Sequence, residues 1–308
     1  MGETSFVGSL CRNTELLCLV IGAFIALRIA LNILCFIWKN FIEPPKNLTQ
    51  RYGKGSWVVV TGASDGIGKA FCFAFAARGF NVCLIARNEQ KLNEVAQQIK
   101  GKHPEVSTKV VVADFTHSCE EHFFDKIMSQ IESLDISILV NNVGLGTVKR
   151  FYNFTESELK DMTIVNTVPT IILTRKLINS LTKRNHRSAI INLSSGSAIM
   201  PIPTFAAYGG TKIFDEFFSL SITPEFKNKN IDVLCLSPFF VDTNMTQKMN
   251  EVKVTPEECV EGCLRDLGRT GFTHGAFSHN IRGAFLRSLK SLLPQCVLDL
   301  MLKKMFKQ

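Results

Sequence analysis

The chain has 308 residues, 46% of them hydrophobic, and a formal net charge of +8. This length and composition suit one large α/β domain with additional segments. The sequence has neither a zinc-finger spacing nor a basic stripe interleaved with aromatic residues, which argues against nucleic-acid binding. The ten cysteines are scattered, which favours a reducing compartment, and their spacing suggests no metal site.

Residues 16–38 form a mostly apolar stretch that would be about 35 Å long as a helix, enough to cross a bilayer. Arg28 lies near its middle and costs about 2.5–3.5 kcal/mol on insertion. Three interpretations stay open: a single transmembrane helix, which the pattern favours, a re-entrant or interfacial helix, and a cleaved signal peptide. Basic residues are more frequent after the stretch than before it, which predicts that the body of the protein faces the cytosol.

A strand, a glycine-rich turn and a helix begin the main body. The apolar run Trp57–Thr61 predicts a buried strand, which leads into Gly62, Gly66 and Gly68 and then into a helical pattern over residues 69–79. Glycines let the backbone approach a pyrophosphate, and a helix N-terminus supplies free N–H groups. The segment therefore predicts a dinucleotide-binding site.

Arg87 follows the second predicted strand, residues 81–86, where a dinucleotide-binding fold contacts the adenosine ribose. An acidic residue there binds the 2′-hydroxyl of NAD, whereas an arginine accommodates the 2′-phosphate of NADP. No acidic residue stands beside Arg87 in the sequence, so we predict NADP(H). An arginine that only flanks a helix in water is the alternative.

Helical patterns separate four further predicted strands, at residues 109–113, 136–140, 189–193 and 231–236. One of the helices, residues 155–181, carries Asn166, and Pro169 is expected to kink it. Because strands and helices alternate throughout, the sequence predicts an α/β fold with a doubly wound, Rossmann-like parallel sheet in a single catalytic domain.

Tyr208 and Lys212 lie four residues apart and share one face of a predicted helix. A nearby ammonium stabilises a phenolate, so such a pair can exchange protons near neutral pH. Ser195 follows the strand at residues 189–193, and α/β proteins place their chemistry at the ends of parallel strands. We therefore interpret these three side chains as candidate catalytic groups.

In the order of its motifs, the segment at residues 55–270 resembles a short-chain dehydrogenase/reductase. The motifs are the glycine-rich turn, Asn-Asn-Val-Gly after the fourth strand and Pro-Phe-Phe-Val-Asp-Thr after the sixth. The resemblance implies that the catalytic residues are Asn166, Ser195, Tyr208 and Lys212. The cofactor-binding residues that the motifs and the resemblance indicate together are Thr61, Gly62, Ser64, Asp65, Gly66, Ile67, Gly68, Arg87, Asp114, Asn141, Val143, Gly144, Tyr208, Lys212, Pro238, Val241 and Thr243.

Within this family, the chain is similar to a membrane-bound branch of 17β-hydroxysteroid dehydrogenases and very-long-chain 3-oxoacyl-CoA reductases. It departs from the family at the two glycines between Tyr208 and Lys212, each of which weakens a helix by about 1 kcal/mol relative to alanine. Pro224 is expected to end or bend the same helix. Phe239 replaces a glycine of the family and is expected to crowd the nicotinamide pocket.

The resemblance implies an NADPH-dependent reductase of a lipid ketone, either a 3-oxoacyl-CoA or a 17-ketosteroid, with Tyr208 as proton donor. Ser195 would orient the carbonyl oxygen, Lys212 would assist Tyr208 and bind the nicotinamide ribose, and Asn166 would hold a proton-relaying water. Apolar residues between Ser195 and Tyr208 suit such a substrate. Two alternatives stay open: an oxidative steroid or retinol dehydrogenase using NAD(P), and a catalytically silent membrane adaptor that keeps the fold.

These patterns divide the chain into five predicted segments: an N-terminal flank at residues 1–15, a membrane helix at 16–38, a linker at 39–54, the catalytic domain at 55–270 and a basic amphipathic tail at 271–308. The tail suits an anionic bilayer surface, and packing on the enzyme body or on a dimer partner is the alternative. We expect an endoplasmic reticulum membrane location, a cytosolic catalytic domain, membrane lipids as partners, and a homodimer.

Overall fold

The computed structural model of the protein describes residues 3–247, 249–298 and 300. The chain divides into two compact units, Met1–Pro45 and Lys46–Gln308. In the first unit, helix α1 (Glu3–Ile37) is followed by one π-helical turn, Trp38–Ile42. The stretch Arg12–Ile42 is long and apolar enough to cross a membrane. An apolar helix at the predicted position is therefore confirmed, and its crossing of a bilayer stays a prediction.

The second unit is built on a sheet that has seven parallel strands in the described part of the chain, in the order β3-β2-β1-β4-β5-β6-β7. The strands are β1 (Trp57–Thr61), β2 (Asn81–Ala86), β3 (Thr108–Val112), β4 (Ile136–Asn141), β5 (Ser188–Leu193), β6 (Ile231–Leu236) and β7 (Phe272–Thr273). The order reverses between β1 and β4, which leaves a crevice at the carboxyl ends of the strands. The doubly wound parallel fold is confirmed; no sequence signal indicated the two-residue strand β7.

Helices cover both faces of this sheet. They are α2 (Leu48–Tyr52), α3 (Gly66–Ala76), α4 (Glu89–Lys102), α5 (Phe123–Ile131), α6 (Glu156–Thr182), α7 (Ala206–Lys227), α8 (Pro256–Asp266) and α9 (Phe277–Leu292). Helices α3, α4 and α8 share one hydrophobic core with the sheet, and α5, α6 and α7 share the other. Because both faces are covered, the central strands are continuous apolar runs without alternation.

Helices α6 and α7 form despite residues that disfavour helix. Pro169 lies inside α6 without ending it, and α7 continues past Pro224 for less than one further turn. Gly209 and Gly210 lie in the first turns of α7. A Cβ on Gly209 would lie 3.3 Å from the carbonyl oxygen of Ser197. The small residue thus lets α7 approach the segment that follows β5, which brings Tyr208 towards Ser195.

Helix α9 packs on the body through one face and exposes the other. His279, Asn280 and Gly283 are buried, and a Cβ on Gly283 would lie 2.0 Å from Nε2 of His274, so only glycine fits there. The opposite face exposes the apolar side chains Phe277, Ile281, Phe285 and Leu292. Packing on the enzyme body, which the sequence left as an alternative for the tail, therefore occurs through one face of α9.

Candidate active site

A cavity of about 300 Å³ lies at the carboxyl ends of the strands, where the strand order reverses. Most of the predicted cofactor and catalytic residues come together in its wall: Gly62, Ser64, Asp65, Gly66, Ile67, Arg87, Asp114, Val143, Gly144, Ser195, Tyr208, Lys212, Pro238, Val241 and Thr243. The wall also contains residues that were not among the predicted site residues, such as Asn142 of the Asn-Asn-Val-Gly motif, Leu145 and Met245. We call this space the first cavity.

Four predicted residues lie behind this wall and support it. The hydroxyl of Thr61 accepts hydrogen bonds from the backbone N–H groups of Asn142 (3.0 Å) and Val143 (3.1 Å). The side chain of Asn141 is buried and donates to Oδ1 of Asn192 at 2.8 Å. Gly68 and Asn166 complete the group. These residues fix the two loops that form the wall, and their side chains do not line the cavity.

The glycine-rich turn makes a tight cradle at the start of α3. Gly62 has φ +67°, and a Cβ on Gly68 would lie 2.2 Å from the carbonyl oxygen of Gly62. Asp65 caps α3, since its Oδ1 accepts from the N–H of Gly66 at 2.7 Å, and its other oxygen accepts from the amide of Asn244. The first turn of α3 therefore packs directly on the glycine-rich turn, where a side chain at residue 68 would not fit.

Lys212 reaches the cavity from α7 and is almost fully buried. Its Nζ donates to the carbonyl oxygen of Leu193 at 2.8 Å and to Oδ2 of Asp215 at 2.9 Å. Burial opposes the charge on this ammonium, but the carboxylate of Asp215, with smaller contributions from Tyr208 and Cys235, outweighs burial, so the pKa of Lys212 is raised above its ordinary value. The site therefore keeps a positive charge beside Tyr208.

Asn166 connects the loop after β4 with α7. Its Oδ1 accepts from the N–H of Leu145 at 2.7 Å, and its Nδ2 donates to the carbonyl oxygen of Leu145 and to the hydroxyl of Thr211, both at 2.9 Å. The side chain is 1% exposed. All these bonds are to protein groups, so Asn166 positions the loop that carries Gly144 and Leu145.

A second cavity, of about 380 Å³, adjoins the first. Ser195, Tyr208 and Phe239 line both cavities, so the two spaces meet at the candidate catalytic groups. Its wall is mostly apolar and includes Ile199, Met200, Ile202 and Phe205 of the expected apolar stretch, together with Phe240. Helix α9 and the residues after it complete the wall with Arg282, Leu286, Leu289 and Leu298, a contribution that the sequence pattern did not indicate.

Phe239 is accommodated by a glycine in the facing loop. A Cβ on Gly196 would lie 2.6 Å from Cδ1 of the Phe239 ring, so the ring fills the space that a side chain at residue 196 would need. The ring also contacts His274 and His279, with centroid distances of 5.3 and 5.6 Å. Burial and the nearby Arg282 lower the pKa of His279, which favours its neutral form. Gly196 thus leaves room for the ring, which still lines the first cavity, and its crowding of a nicotinamide stays a prediction.

The first cavity fits a nicotinamide dinucleotide. Its glycine cradle stands at the N-terminus of α3, the position at which dinucleotide-binding folds bind a pyrophosphate, and Arg87 lies in the wall after β2, where the adenosine ribose is contacted. Gly144 leaves room in front of Lys212, because a Cβ there would lie 3.6 Å from Nζ. The dinucleotide would therefore extend from Arg87 to the lysine and end beside Tyr208.

Comparisons with known proteins agree with this arrangement. Residues 56–253 match the family model described as short chain dehydrogenase. Very-long-chain 3-oxoacyl-CoA reductases are similar over most of their length. The Macaca fascicularis protein is 36% identical over 78% of this chain and 77% of its own, and the Homo sapiens protein is 34% identical over the same shares. The Coccidioides immitis protein is 34% identical over 84% and 74%.

Solved structures show the same architecture. A 7β-hydroxysteroid dehydrogenase is 25% identical, with a TM-score of 0.71 over 81% of this chain and 96% of its own. A short-chain dehydrogenase from Sphingobium yanoikuyae, solved with NADPH, is 23% identical, with a TM-score of 0.65 over 78% and 96%. At that identity the second likeness shows the fold alone.

Proposed function

The chain belongs to the short-chain dehydrogenase family and is an oxidoreductase, and from that premise we propose that it reduces 3-oxoacyl-CoA thioesters with NADPH. The observation that carries the proposal is the meeting of the two cavities at Ser195 and Tyr208. One cavity has the glycine cradle of a dinucleotide site, and the other has an apolar wall that suits an acyl chain. Relatives named very-long-chain 3-oxoacyl-CoA reductase support this substrate over a 17-ketosteroid.

The residues of this chain divide the chemistry among them. The first cavity would hold the nicotinamide, and the hydride for the ketone carbon would come from it. Tyr208 donates a proton to the ketone oxygen, and Ser195 donates a hydrogen bond that orients the same oxygen. Lys212 eases the loss of the phenolic proton through its positive charge and offers a donor to the ribose. Asn166 holds the loop that forms the wall beside Lys212, and its relay of protons through water stays part of the proposal.

We assign the preference for NADPH to Arg87. The guanidinium lies in the wall of the first cavity, and it is exposed, so it is free to adjust to a phosphate. Ser64 lies in the same wall and adds a hydroxyl donor. A planar guanidinium binds a phosphate through two charge-assisted hydrogen bonds, whereas NADH offers only a ribose hydroxyl at that position.

Two alternatives are less well supported. A silent membrane adaptor has no need of the proton-transfer pair, yet Tyr208 and Lys212 lie together in the wall of the first cavity. An oxidative steroid or retinol dehydrogenase that uses NAD is disfavoured by Arg87. The relatives reported above are named as reductases of acyl-CoA.

We propose that the protein is held in the endoplasmic reticulum membrane with its catalytic domain in the cytosol. The apolar stretch Arg12–Ile42 supports an anchor, and the basic residues that follow it support this orientation. The exposed apolar face of α9 gives the tail a surface for membrane lipids, and exposed Ile213, Phe217 and Leu220 on α7 offer one for a homodimer. Release of the intact chain from membranes by alkaline carbonate would contradict the anchor.

The proposed function is tested with the full-length protein in detergent. NADPH oxidation is followed with a long-chain 3-oxoacyl-CoA and, separately, with a 17-ketosteroid. We expect kcat/KM for the thioester to exceed that for the steroid by at least about tenfold, because the steroid lacks both an acyl chain and an anionic group. Preference for the steroid would assign the second cavity to that class, and turnover of neither would refute the proposal.

A further inference from the structure

Lys212 is paired with a buried acid to which no motif of the family assigned a role. Nζ of Lys212 lies 2.9 Å from Oδ2 of Asp215, and the two side chains are 4% and 1% exposed. Asp215 lies one turn after Lys212 on α7. Burial of a carboxylate costs several kcal/mol unless the carboxylate is paired. A surface acid at this helical spacing would contribute little, but Lys212 lies in the wall of the first cavity and Asp215 is buried behind it.

The two charges stabilise one another. Burial alone would lower the pKa of Lys212, but it is raised overall, and the carboxylate of Asp215 contributes more to that rise than Tyr208 or Cys235. Burial also raises the pKa of Asp215, and the ammonium opposes that rise. A buried lysine without such a partner loses its proton at a lower pH than lysine in water. The charge on Lys212 therefore depends on Asp215.

We propose that Asp215 is a positioning residue for the reduction proposed above, on which this inference rests, and that it holds Lys212 as an ammonium aimed at the first cavity. An ammonium has three donors. One is bound to the carbonyl oxygen of Leu193 and one to Asp215. The third remains for the cavity, where Nζ lies 3.6 Å from the position that a Cβ on Gly144 would occupy.

Other ionisable groups near the pair do not replace Asp215. Tyr208 lies on the same helix and is the group that Lys212 serves. Cys235 on β6 faces the pair, and burial raises the pKa of its thiol, so it carries no charge at neutral pH. Glu216 is paired with Arg287 of α9 at 2.8 Å. Among the described residues, Asp215 is thus the acid that bonds the lysine.

Asp215→Asn tests the proposal, because the amide keeps an oxygen acceptor and removes the charge. The carboxylate raises the pKa of Lys212, so its loss should make the ammonium deprotonate at lower pH. We expect the basic limb of the kcat/KM profile for the 3-oxoacyl-CoA to move down by at least about one pH unit. At about pH 6, where Lys212 is still charged, turnover should stay within about threefold of the unmodified protein.

A second readout needs no substrate. The Kd of NADPH is measured by the fluorescence of NADPH across the same pH range. The pH at which this Kd begins to rise should be at least about one unit lower in Asp215→Asn than in the unmodified protein. If this shift appears while the unmodified protein reduces no 3-oxoacyl-CoA, the proposed substrate fails and the role of Asp215 stands. If the unmodified protein turns over but neither profile shifts in Asp215→Asn, the role of Asp215 fails alone.

Two variants serve as controls. Glu216→Gln removes another buried, paired carboxylate of α7 and should leave both pH midpoints unchanged. Asp215→Glu keeps the charge, so the basic limb of its kcat/KM profile should lie at higher pH than that of Asp215→Asn. A loss of activity by the same factor at every pH in Asp215→Asn would show a packing role and overturn the proposal. Failure of that variant to bind NADPH at any pH would overturn it too.

Discussion

The guanidinium of Arg282 lies 5.0 Å from the centroid of the Phe239 ring, in the wall of the second cavity. In the part of the chain that the structure describes, no carboxylate pairs with Arg282, although Glu251 lines the same cavity. By contrast, Arg287 on the same helix is paired with Glu216 at 2.8 Å. A cation that no carboxylate of the described residues neutralises, next to an apolar space, suits an amphiphilic substrate that carries its own negative charge.

Arg282→Leu should therefore raise KM for a long-chain 3-oxoacyl-CoA by about tenfold or more, with kcat little changed, since charged hydrogen bonds contribute about 1.5–3 kcal/mol. The matching N-acetylcysteamine thioester lacks the phosphates of CoA, and its KM should hardly change. Arg282→Lys keeps the charge, so its KM for the 3-oxoacyl-CoA should lie between those of the unmodified protein and Arg282→Leu. An equal change of KM for both thioesters would show that Arg282 only shapes the cavity.

Tyr208→Phe should abolish reduction and leave the Kd of NADPH within about twofold, because the substitution removes only the hydroxyl that donates the proton. Lys212→Ala should impair both measurements, since the ammonium serves Tyr208 and the cavity. Stopped-flow absorbance of NADPH and fluorescence titration separate the two effects. Substantial turnover by Tyr208→Phe would remove Tyr208 from the acid role.

Gly196→Ala should damage the site through Phe239. The added Cβ would lie 2.6 Å from the ring, so ring or loop has to move, and Ser195 is the neighbouring residue. We expect a destabilisation of about 1–3 kcal/mol and a lower kcat. Phe239→Gly restores the residue found in the family motif and should rescue much of both losses in the double variant. Additive effects of the two substitutions would show that residues 196 and 239 do not interact.

Asp232, at the opposite end of the sheet, should make stability depend on pH. Its carboxylate accepts from Arg51 (2.7 Å), from the hydroxyl of Tyr52 (2.8 Å) and from Arg187 (3.0 Å). Burial raises the pKa of Asp232, but these hydrogen bonds outweigh burial and lower it overall. The stabilisation is therefore complete above the unfolded pKa of about 3.9 and is lost as pH falls through the lower folded value.

Asp232→Asn should lower the melting temperature at about pH 7 by about 5 °C or more, because it leaves the buried Tyr52 and two partly buried guanidinium groups without a charged acceptor. The difference from the unmodified protein should shrink as the pH approaches about 3. Differential scanning fluorimetry in detergent measures both, and the Kd of NADPH serves as a control that should not change. A difference that stays constant down to that pH would contradict the ionic role of Asp232.

Features that depend on residues close together in the sequence could be predicted from the sequence. The glycine cradle needs glycines at fixed spacing, and the pairing of Tyr208 with Lys212 needs only one helical turn, so both could be recognised without the fold. Strand positions agreed closely for the same reason; the third strand, predicted at residues 109–113, is Thr108–Val112 in the structure. Short apolar runs between glycines and helical patterns identify buried strands regardless of what packs on them.

Contacts between distant segments were not predictable in this way. An acid one turn from a lysine usually indicates a solvated ion pair, so the sequence did not reveal that Asp215 is buried. The contact between Phe239 and Gly196 joins the ends of two strands, and either residue alone indicates only crowding or flexibility. Arg282 reaches the second cavity because β7 and the turn before α9 direct that helix back over the strand ends, and a two-residue strand has no periodicity to detect.

Cofactor preference depends on Arg87, which lies exposed in the wall of the first cavity after β2. The 2′-phosphate of NADPH carries close to two negative charges, and its charged hydrogen bonds contribute about 1.5–3 kcal/mol, or about tenfold to a hundred-and-fiftyfold in affinity. The unmodified protein should prefer NADPH by that order. Arg87→Asp should repel the phosphate and accept from the ribose hydroxyl of NADH, so the ratio of kcat/KM should shift towards NADH, mainly through KM.

Lys91→Ala is the matched control, because this nearby cation lies 3.9 Å from Asp65 and outside the cavity wall, and it should leave the ratio nearly unchanged. Equal use of both cofactors by the unmodified protein would show that Arg87 is a solvated surface residue.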